Sequence, residues 1–462
     1  MIEETILFPT AFYVALVVLG VAFVYAWRQR ELGVGIPMGA VLGTVAIWYF
    51  GDAFYNDYAS YSRDIGEEYV EAAWWQVALF LAAFLLFVPL FHSIMNRSLF
   101  SHRSEFWALM RSGGVENKEF QRRLDIATRL ILGVWIFLML IALLRTNFDV
   151  LGLFAPYISG KAYPWARGRV GSGFDALISF ANYLQIMLVA SFGIVAAVAK
   201  NRRTRTIALV VTALTLPWFL LDRTRNTMLS VVLPGLLAWV FVRFRGGLLL
   251  KFAVLLGAFL VTEGWMKFVL QNRSSTNISM AFSQIGIGGV YDQIEATEGK
   301  HEGLNMLEEL TWVNSFIDKG TYVVNNGGRY FAELVNPIPR AIWPDKPMIG
   351  IDYAIARGQL YGAAGDAQGG VGATISTGMI GQGVVNFGTF FGVLAAAFLM
   401  AFWVAVLARQ DLMGEKMGRM LLFFIGCVLT FNLGRDITLI TLYPFLFGYL
   451  MTSFWSKTHK EK

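Results

Sequence analysis

A single cysteine, Cys427, excludes a disulfide within the chain and leaves its redox compartment unread. Charge is scarce too: Asp, Glu, Lys and Arg make up 15% of 462 residues, against roughly 25% in a soluble domain. The four histidines (His92, His102, His301, His459) are scattered, with no His-X-X-X-His pair, which argues against a zinc or haem site. There is no GxxxxGK[ST] loop to cradle nucleotide phosphates. Nowhere does Asp-X-Asp occur, so the diphosphate–metal clamp of soluble sugar-nucleotide transferases is missing. No nucleophile elbow accompanies His301, and no redox-cofactor fingerprint or internal repeat is visible. These absences, with the high apolar content, exclude disorder, a nucleic-acid-binding module and an ordinary cytosolic enzyme.

What is abundant is hydrophobicity, at 56% of residues with a mean hydropathy of +0.54. Apolar runs of about twenty residues recur along the chain, the length that crosses a bilayer as a helix. The expected fold is an all-α polytopic membrane protein with about 11 transmembrane helices. They are expected near 7–27, 36–54, 73–94, 127–146, 175–199, 206–221, 226–242, 248–269, 377–407, 419–434 and 437–455, the ninth tilted or broken near Gly388. The start, Met1-Ile2-Glu3-Glu4, is acidic, so the first run is expected to stay as a span rather than serve as a signal peptide. Three parts follow: helices within 1–269, a large extracytoplasmic loop at 270–376, and helices with a short tail in 377–462.

Alternate loops collect 21 of the 38 basic residues, among them Arg97, Arg103, Lys200, Arg202, Arg203, Arg205 and Arg409. By the positive-inside rule those loops are cytoplasmic, with the N-terminus outside and the C-terminus inside. The net charge of +6 then mostly reports topology rather than an acidic partner.

Arginine on the outer side breaks that rule and asks for a reason. Asp222-Arg223-Thr224-Arg225-Asn226 sits between two apolar runs. Arg223 and Arg225 there suit anion capture, since a guanidinium grips phosphate bidentately; the alternative is a tight turn whose arginines snorkel to headgroups. Gly434-Arg435-Asp436 interrupts the last apolar stretch. It reads either as a functional pair or as a buried ion pair fixing a hairpin. The third group, 336–347, holds four prolines (Pro337, Pro339, Pro344, Pro347) that stiffen the backbone around Arg340, Trp343, Asp345 and Lys346. Cation and indole together suit phosphate and sugar; an interfacial loop with Trp343 in the aromatic belt is the other reading. Arg273, Arg329 and Arg357 are weaker candidates, because a lone loop arginine is most often a solvated surface charge. Glu263 and Lys267 share one face of the eighth span, as a functional or a structural pair.

The order of these features resembles the Wzy-type oligosaccharide repeat-unit polymerases (O-antigen and enterobacterial common antigen polymerases). The resemblance covers about 205–455. Thr224-Arg225 is similar to the family's Thr-Arg before an apolar span, and 337–347 to its proline-rich Trp-Pro-X-Lys-Pro loop. Thr374 to Gly388 resembles the glycine-rich entry to the next span, and Arg435-Asp436 the Arg–acid pair of the last outer loop. Where some relatives carry Glu this chain has Gln382, so no carboxylate chemistry carries over there. The resemblance implies a C-type glycosyltransferase-like enzyme of the bacterial inner membrane, with no cofactor and no metal. It would transfer a glycan from undecaprenyl diphosphate to the sugar end of another lipid-linked repeat unit. Its partners would be those two lipid-linked glycans, membrane lipid, a chain-length regulator and a flippase, and no nucleic acid. Arg225, Arg435 and Arg340 would stabilise the leaving diphosphate, supported by Arg223 and Lys346. Asp345, Asp352, Asp366 and Asp436 are candidate bases, Trp343 and Tyr353 sugar platforms, and the 270–376 loop a lid. An O-antigen ligase is chemically close. A lipid-linked oligosaccharide flippase is the rival from another class, and would show broken helices with charges near mid-membrane.

Overall fold

The computed structural model describes residues 8–112, 118–154, 164–165, 175–220, 225–271, 305–336, 338–339, 342–347, 350–358, 375–414, 417–437 and 439–458. Among them there is helix and turn and no strand. That is what hydrocarbon demands, since only a helix satisfies its own backbone groups there without closing a barrel. In chain order the helices are α1 (Thr10–Arg28), α2 (Gly35–Tyr55), α3 (Tyr58–Ile65), α4 (Glu67–Asn96), α5 (Glu105–Ser112) and α6 (Lys118–Arg145). They continue as α7 (Val150–Phe154), α8 (Asp175–Val198), α9 (Arg202–Leu220), α10 (Arg225–Ala238), α11 (Leu248–Gln271) and α12 (Met306–Asp318). The last are α13 (Gly328–Val335), α14 (Ile351–Ala356), α15 (Gly378–Phe387), α16 (Phe391–Leu412), α17 (Met417–Arg435) and α18 (Leu439–Thr458).

Among the described residues seven helices are long and apolar enough to cross a membrane, in α1, α2, α4, α6, α8, α16 and α17. The chain is a polytopic helical membrane protein by that measure. The expected spans near 206–221, 226–242, 248–269 and 437–455 are helical too, in α9, α10, α11 and α18. Several helices outrun their apolar stretch: α4 starts at Glu67-Glu68, acids that suit the positive end of a helix dipole.

The chain packs as two compact units. The first holds Met1–Ser104, Gly299–Leu412 and Leu429–Leu439. At its centre α4 packs against α1, α12 and α16. Phe12 and Phe50 close on Trp74 at 4.9 Å between ring centroids, the edge-on and tilted geometry aromatic quadrupoles favour. Gln76 of α4 and Asn314 of α12 exchange two amide hydrogen bonds of 2.9 and 3.0 Å, so neither buried amide is left bare. In the second unit (Glu105–Glu298, Met413–Val428, Ile440–Lys462), α8 packs on α9 and α10. There Gly193 and Gly235 let two backbones touch.

One expectation changes. The ninth apolar run is broken at Gly388 (φ +82°), one of the two forms expected; what changes is that α15 folds back on α16 instead of continuing across. In one straight helix, residues nine apart would be about 13 Å from each other. Instead a Cβ built on Gly383 would lie 2.1 Å from the Gly392 carbonyl oxygen, and one on Gly392 2.2 Å from that of Gly383. Hydropathy cannot see this, because both arms are apolar. At ten residues α15 spans about 15 Å, half a bilayer core.

This close approach sets a test. Gly383→Ala and Gly392→Ala each force the two helices apart and are expected to cost about 1–3 kcal/mol, read as a lower melting temperature of the detergent-solubilised protein. Gly39→Ala, with open space around its Cβ, is the control and is expected to melt like the parent. Equal melting of all three would contradict the fold-back.

Candidate functional site

The folded-back arm positions a polar cluster inside the first unit. In α2 the helix widens to a π-turn at Ala46–Phe50, a feature often found where a helix is re-aimed for function. It brings Tyr49 to the start of α15, where the tyrosine hydroxyl accepts the Ile380 N–H at 3.0 Å. Gln382 of α15 clasps Ile437 from both sides, accepting its N–H at 2.7 Å and donating to its carbonyl at 3.3 Å. Asn386 donates to the Gln382 carbonyl at 2.7 Å and accepts the Tyr330 N–H at 3.1 Å. The end of α17 is held independently: the Trp48 indole donates to the Phe431 carbonyl at 2.9 Å, and Gly434 leaves room for Thr44.

These clasps set Arg329 against Asp436. The guanidinium of Arg329, only 5% exposed, lies 3.4 Å from Asp436 Oδ1 and 3.5 Å from Thr377 Oγ1. Asp436 also accepts from the Ser376 hydroxyl and the Thr377 N–H, just before α15. Burial pushes the Asp436 carboxyl above its ordinary range, while Arg329, Ser376, Arg435 and the Thr377 N–H pull it back. Burial likewise holds the Tyr330 hydroxyl above the ordinary phenol range, so it stays protonated and a donor. Two buried donors, Arg329 Nε and the Tyr330 hydroxyl, have no hydrogen-bond partner among the described residues. An unmade bond of that kind is costly enough to call for an account.

A second cluster lies along α12. Asp52 accepts the Leu307 and Glu308 N–H groups at 2.7 and 2.9 Å, and Asn56 donates to its other oxygen at 2.6 Å. It thereby caps α12 from a residue 255 positions away. Arg357 donates to both oxygens of Glu309, at 3.0 and 3.2 Å, and stacks on Trp312 with 4.6 Å to the ring centroid. The Tyr353 hydroxyl donates to Glu309 at 2.5 Å. Burial raises the Glu309 carboxyl, and Arg357 opposes it.

The expected site residues therefore fall into three sets. Arg329 and Asp436 are brought into contact, with Arg435 beside them. Arg329, expected as a solvated surface charge, is buried instead. Its helix is amphipathic in the reverse sense, burying Arg329 and Glu333 while exposing Phe331 and Leu334. Arg357 is taken up by Glu309. Tyr353 is fully buried and presents no face on which a sugar could stack. Lys346 turns inward and donates to the Asn336 and Ile338 carbonyls at 2.6 and 2.8 Å, pinning the proline-rich turn. Asp345 is exposed, Trp343 half-buried beside Phe331, and Asp352 accepts from the Tyr322 hydroxyl. Arg225 opens α10 in the second unit, with its side chain outside the described residues, as are the side chains of Glu263 and Lys267. Arg223, Arg273, Arg340 and Asp366 lie outside them as well.

Sequence reasoning missed Tyr49, Asp52, Tyr330 and Glu309. For Asp52 there was a signal: an acid inside an apolar run is a functional candidate by default. Among the described residues no group of three or more His, Cys, Asp or Glu side chains converges as a metal site would.

No family model, curated protein or solved structure matches the chain in comparisons with known proteins.

The cap on α12 can be tested directly. Asp52→Ala strands two backbone N–H groups and is expected to cost about 1–2 kcal/mol. Asp52→Asn keeps an acceptor and is expected to lose less than half of that. Thermal melts in detergent decide: equal losses would mean that capping is not what Asp52 does.

Proposed function

We propose that this protein is a membrane glycosyltransferase. It polymerises undecaprenyl-diphosphate-linked repeat units into a surface polysaccharide on the extracytoplasmic face of the bacterial inner membrane. One observation carries the reading: Arg329 lies against Asp436 with Arg435 acting on the same carboxylate, and Arg329 Nε and the Tyr330 hydroxyl are buried donors with no hydrogen-bond partner among the described residues. Guanidiniums and unmade donor bonds gathered at one place suit a diphosphate better than a neutral sugar. The reverse amphipathy of α13 supports it, because exposed Phe331 and Leu334 give an isoprenoid tail an apolar surface near that charge.

In this reading the bond between the donor sugar's anomeric carbon and the diphosphate oxygen breaks. The electron pair leaves with the diphosphate, and an acceptor-sugar hydroxyl bonds to the same carbon. Arg329 and Arg435 stabilise the negative charge gathering on the leaving group, the term that dominates such sites. The hydroxyl proton passes to a carboxylate, and Asp436, raised by burial, is the one the cluster offers.

A second reading has one observation in its favour. The α15–α16 fold-back, with a helix start aimed at a buried charge, is the kind of discontinuous helix that transporters use to hold substrates. A lipid-linked oligosaccharide flippase would use it to carry the same diphosphate.

Surface glycan run on a gel separates the readings. A deletion strain is expected to show single repeat units on the acceptor lipid. Bare acceptor with polymer left on the carrier would indicate a ligase, and units stranded on the cytoplasmic side a flippase. Arg329→Ala and Arg435→Ala are each expected to reduce chain growth per folded molecule at least a hundredfold, about 3 kcal/mol of transition-state stabilisation. Arg→Lys is expected to rescue poorly, because Lys cannot copy the bidentate grip. Full-length polymer from both Ala variants would end the proposal.

A further inference from the structure

The second unit carries a basic cavity that plays no part in this chemistry. It measures about 650 Å³ and is lined by Asn201, Arg202, Arg203, Thr206 and Ile207. Its floor is built. The turn before α9 is tied to α6: the Lys200 N–H donates to Gln121 Oε1 at 2.9 Å, and Asn201 and Thr204 donate to the two oxygens of Asp125 at 2.9 and 2.6 Å. Asp125 thus bonds two neutral side chains and leaves the arginines alone. Arg202 and Arg203 are exposed and have no carboxylate partner among the described residues. Directly beyond the cavity α9 turns apolar side chains outward, with Ile207 37%, Val210 51% and Leu214 42% exposed. These three follow at helical spacing and make one greasy track leading away from the arginines.

Charge at the head and hydrocarbon along the track match one molecule, an anionic phospholipid. We infer that the cavity binds the headgroup phosphate of such a lipid through Arg202 and Arg203, with an acyl chain laid along Ile207, Val210 and Leu214. Arg grips a phosphodiester in a way a zwitterion's neighbouring ammonium would oppose, so selection is by net headgroup charge. A free phosphate would use the arginines but gain nothing from the track.

The test uses the purified, delipidated full chain in detergent, titrated with phosphatidylglycerol, phosphatidylcholine or inorganic phosphate and read by native mass spectrometry. One phosphatidylglycerol is expected to be retained in preference to phosphatidylcholine. Arg202→Ala with Arg203→Ala is expected to weaken it roughly tenfold with the melting temperature unchanged, since both side chains are solvent-facing. Ile207→Asn is expected to weaken phosphatidylglycerol and leave inorganic phosphate as it was. Equal retention of the two lipids would overturn the inference. So would displacement of the lipid by inorganic phosphate, unchanged binding in the double variant, or an equal loss from Arg97→Ala with Arg103→Ala, exposed arginines on another loop.

Discussion

The Arg329–Asp436 contact joins residues 107 apart in sequence, and much of the first unit's polar interior is arranged around it. Taking a guanidinium out of water costs several kcal/mol, and a partner carboxylate offsets that only when the geometry is good and its remaining lone pairs are met. Here they are met by neighbours from other elements: the Ser376 hydroxyl, the Thr377 N–H and Arg435. Neither Arg329 nor Asp436 could be buried at this place alone. The segments that bring them, α13 and the end of α17, therefore have to be fixed before the cluster can exist.

The fixing is done by amides and glycines rather than by charge. Gln382 and Asn386, one turn apart on α15, bind the 437 strand of backbone on one side and α13 on the other. Both are neutral, so they can sit in a low-dielectric interior without the ionic penalty. As an amide, Gln382 both donates and accepts, which a carboxylate at the same place could not do. The paired Gly383 and Gly392 let α15 lie flat on α16, which sets the height at which α15 begins and hence where Thr377 and Tyr49 meet the cluster. Packing of small residues thus determines electrostatics several residues away.

Hydropathy announced the long helices, because a bilayer-spanning segment must be apolar throughout and nothing else in the sequence competes with that signal. Near Gly388 the sequence offered a tilt or a break, but not the fold-back of α15, whose ten residues are as apolar as the crossing helix they lie against. Hydropathy was silent on α12 to α14, whose pattern reflects burial against other helices rather than water on one side. Arg435 and Asp436 stood out as a charge pair between apolar runs, with a hairpin-fixing ion pair as the alternative reading. Arg329 was not, because its partner lies 107 residues on and its own helix turns its apolar side outward. Lys346 and Tyr353 sit in conspicuous sequence, yet their polar atoms close on carbonyls and on Glu309 within the protein. A motif indicates that a side chain matters without saying whether it faces inward or toward a ligand.

Charge balance then separates the two polar clusters of the first unit. Around α12, Arg357 faces Glu309 bidentately and stands 3.9 Å from Glu308, and Asp52 is engaged at the helix start. Carboxylates outnumber guanidiniums there, so an incoming diphosphate would be repelled and would have to break a two-bond clamp to reach the arginine. Around α15 Arg329 and Arg435 both act on Asp436. In the proposed reading a phosphate oxygen arriving there meets Arg329 Nε and the Tyr330 hydroxyl, buried donors with no hydrogen-bond partner among the described residues. The α12 cluster is consequently a brace, and the α15 cluster is the one on which the proposed diphosphate site rests.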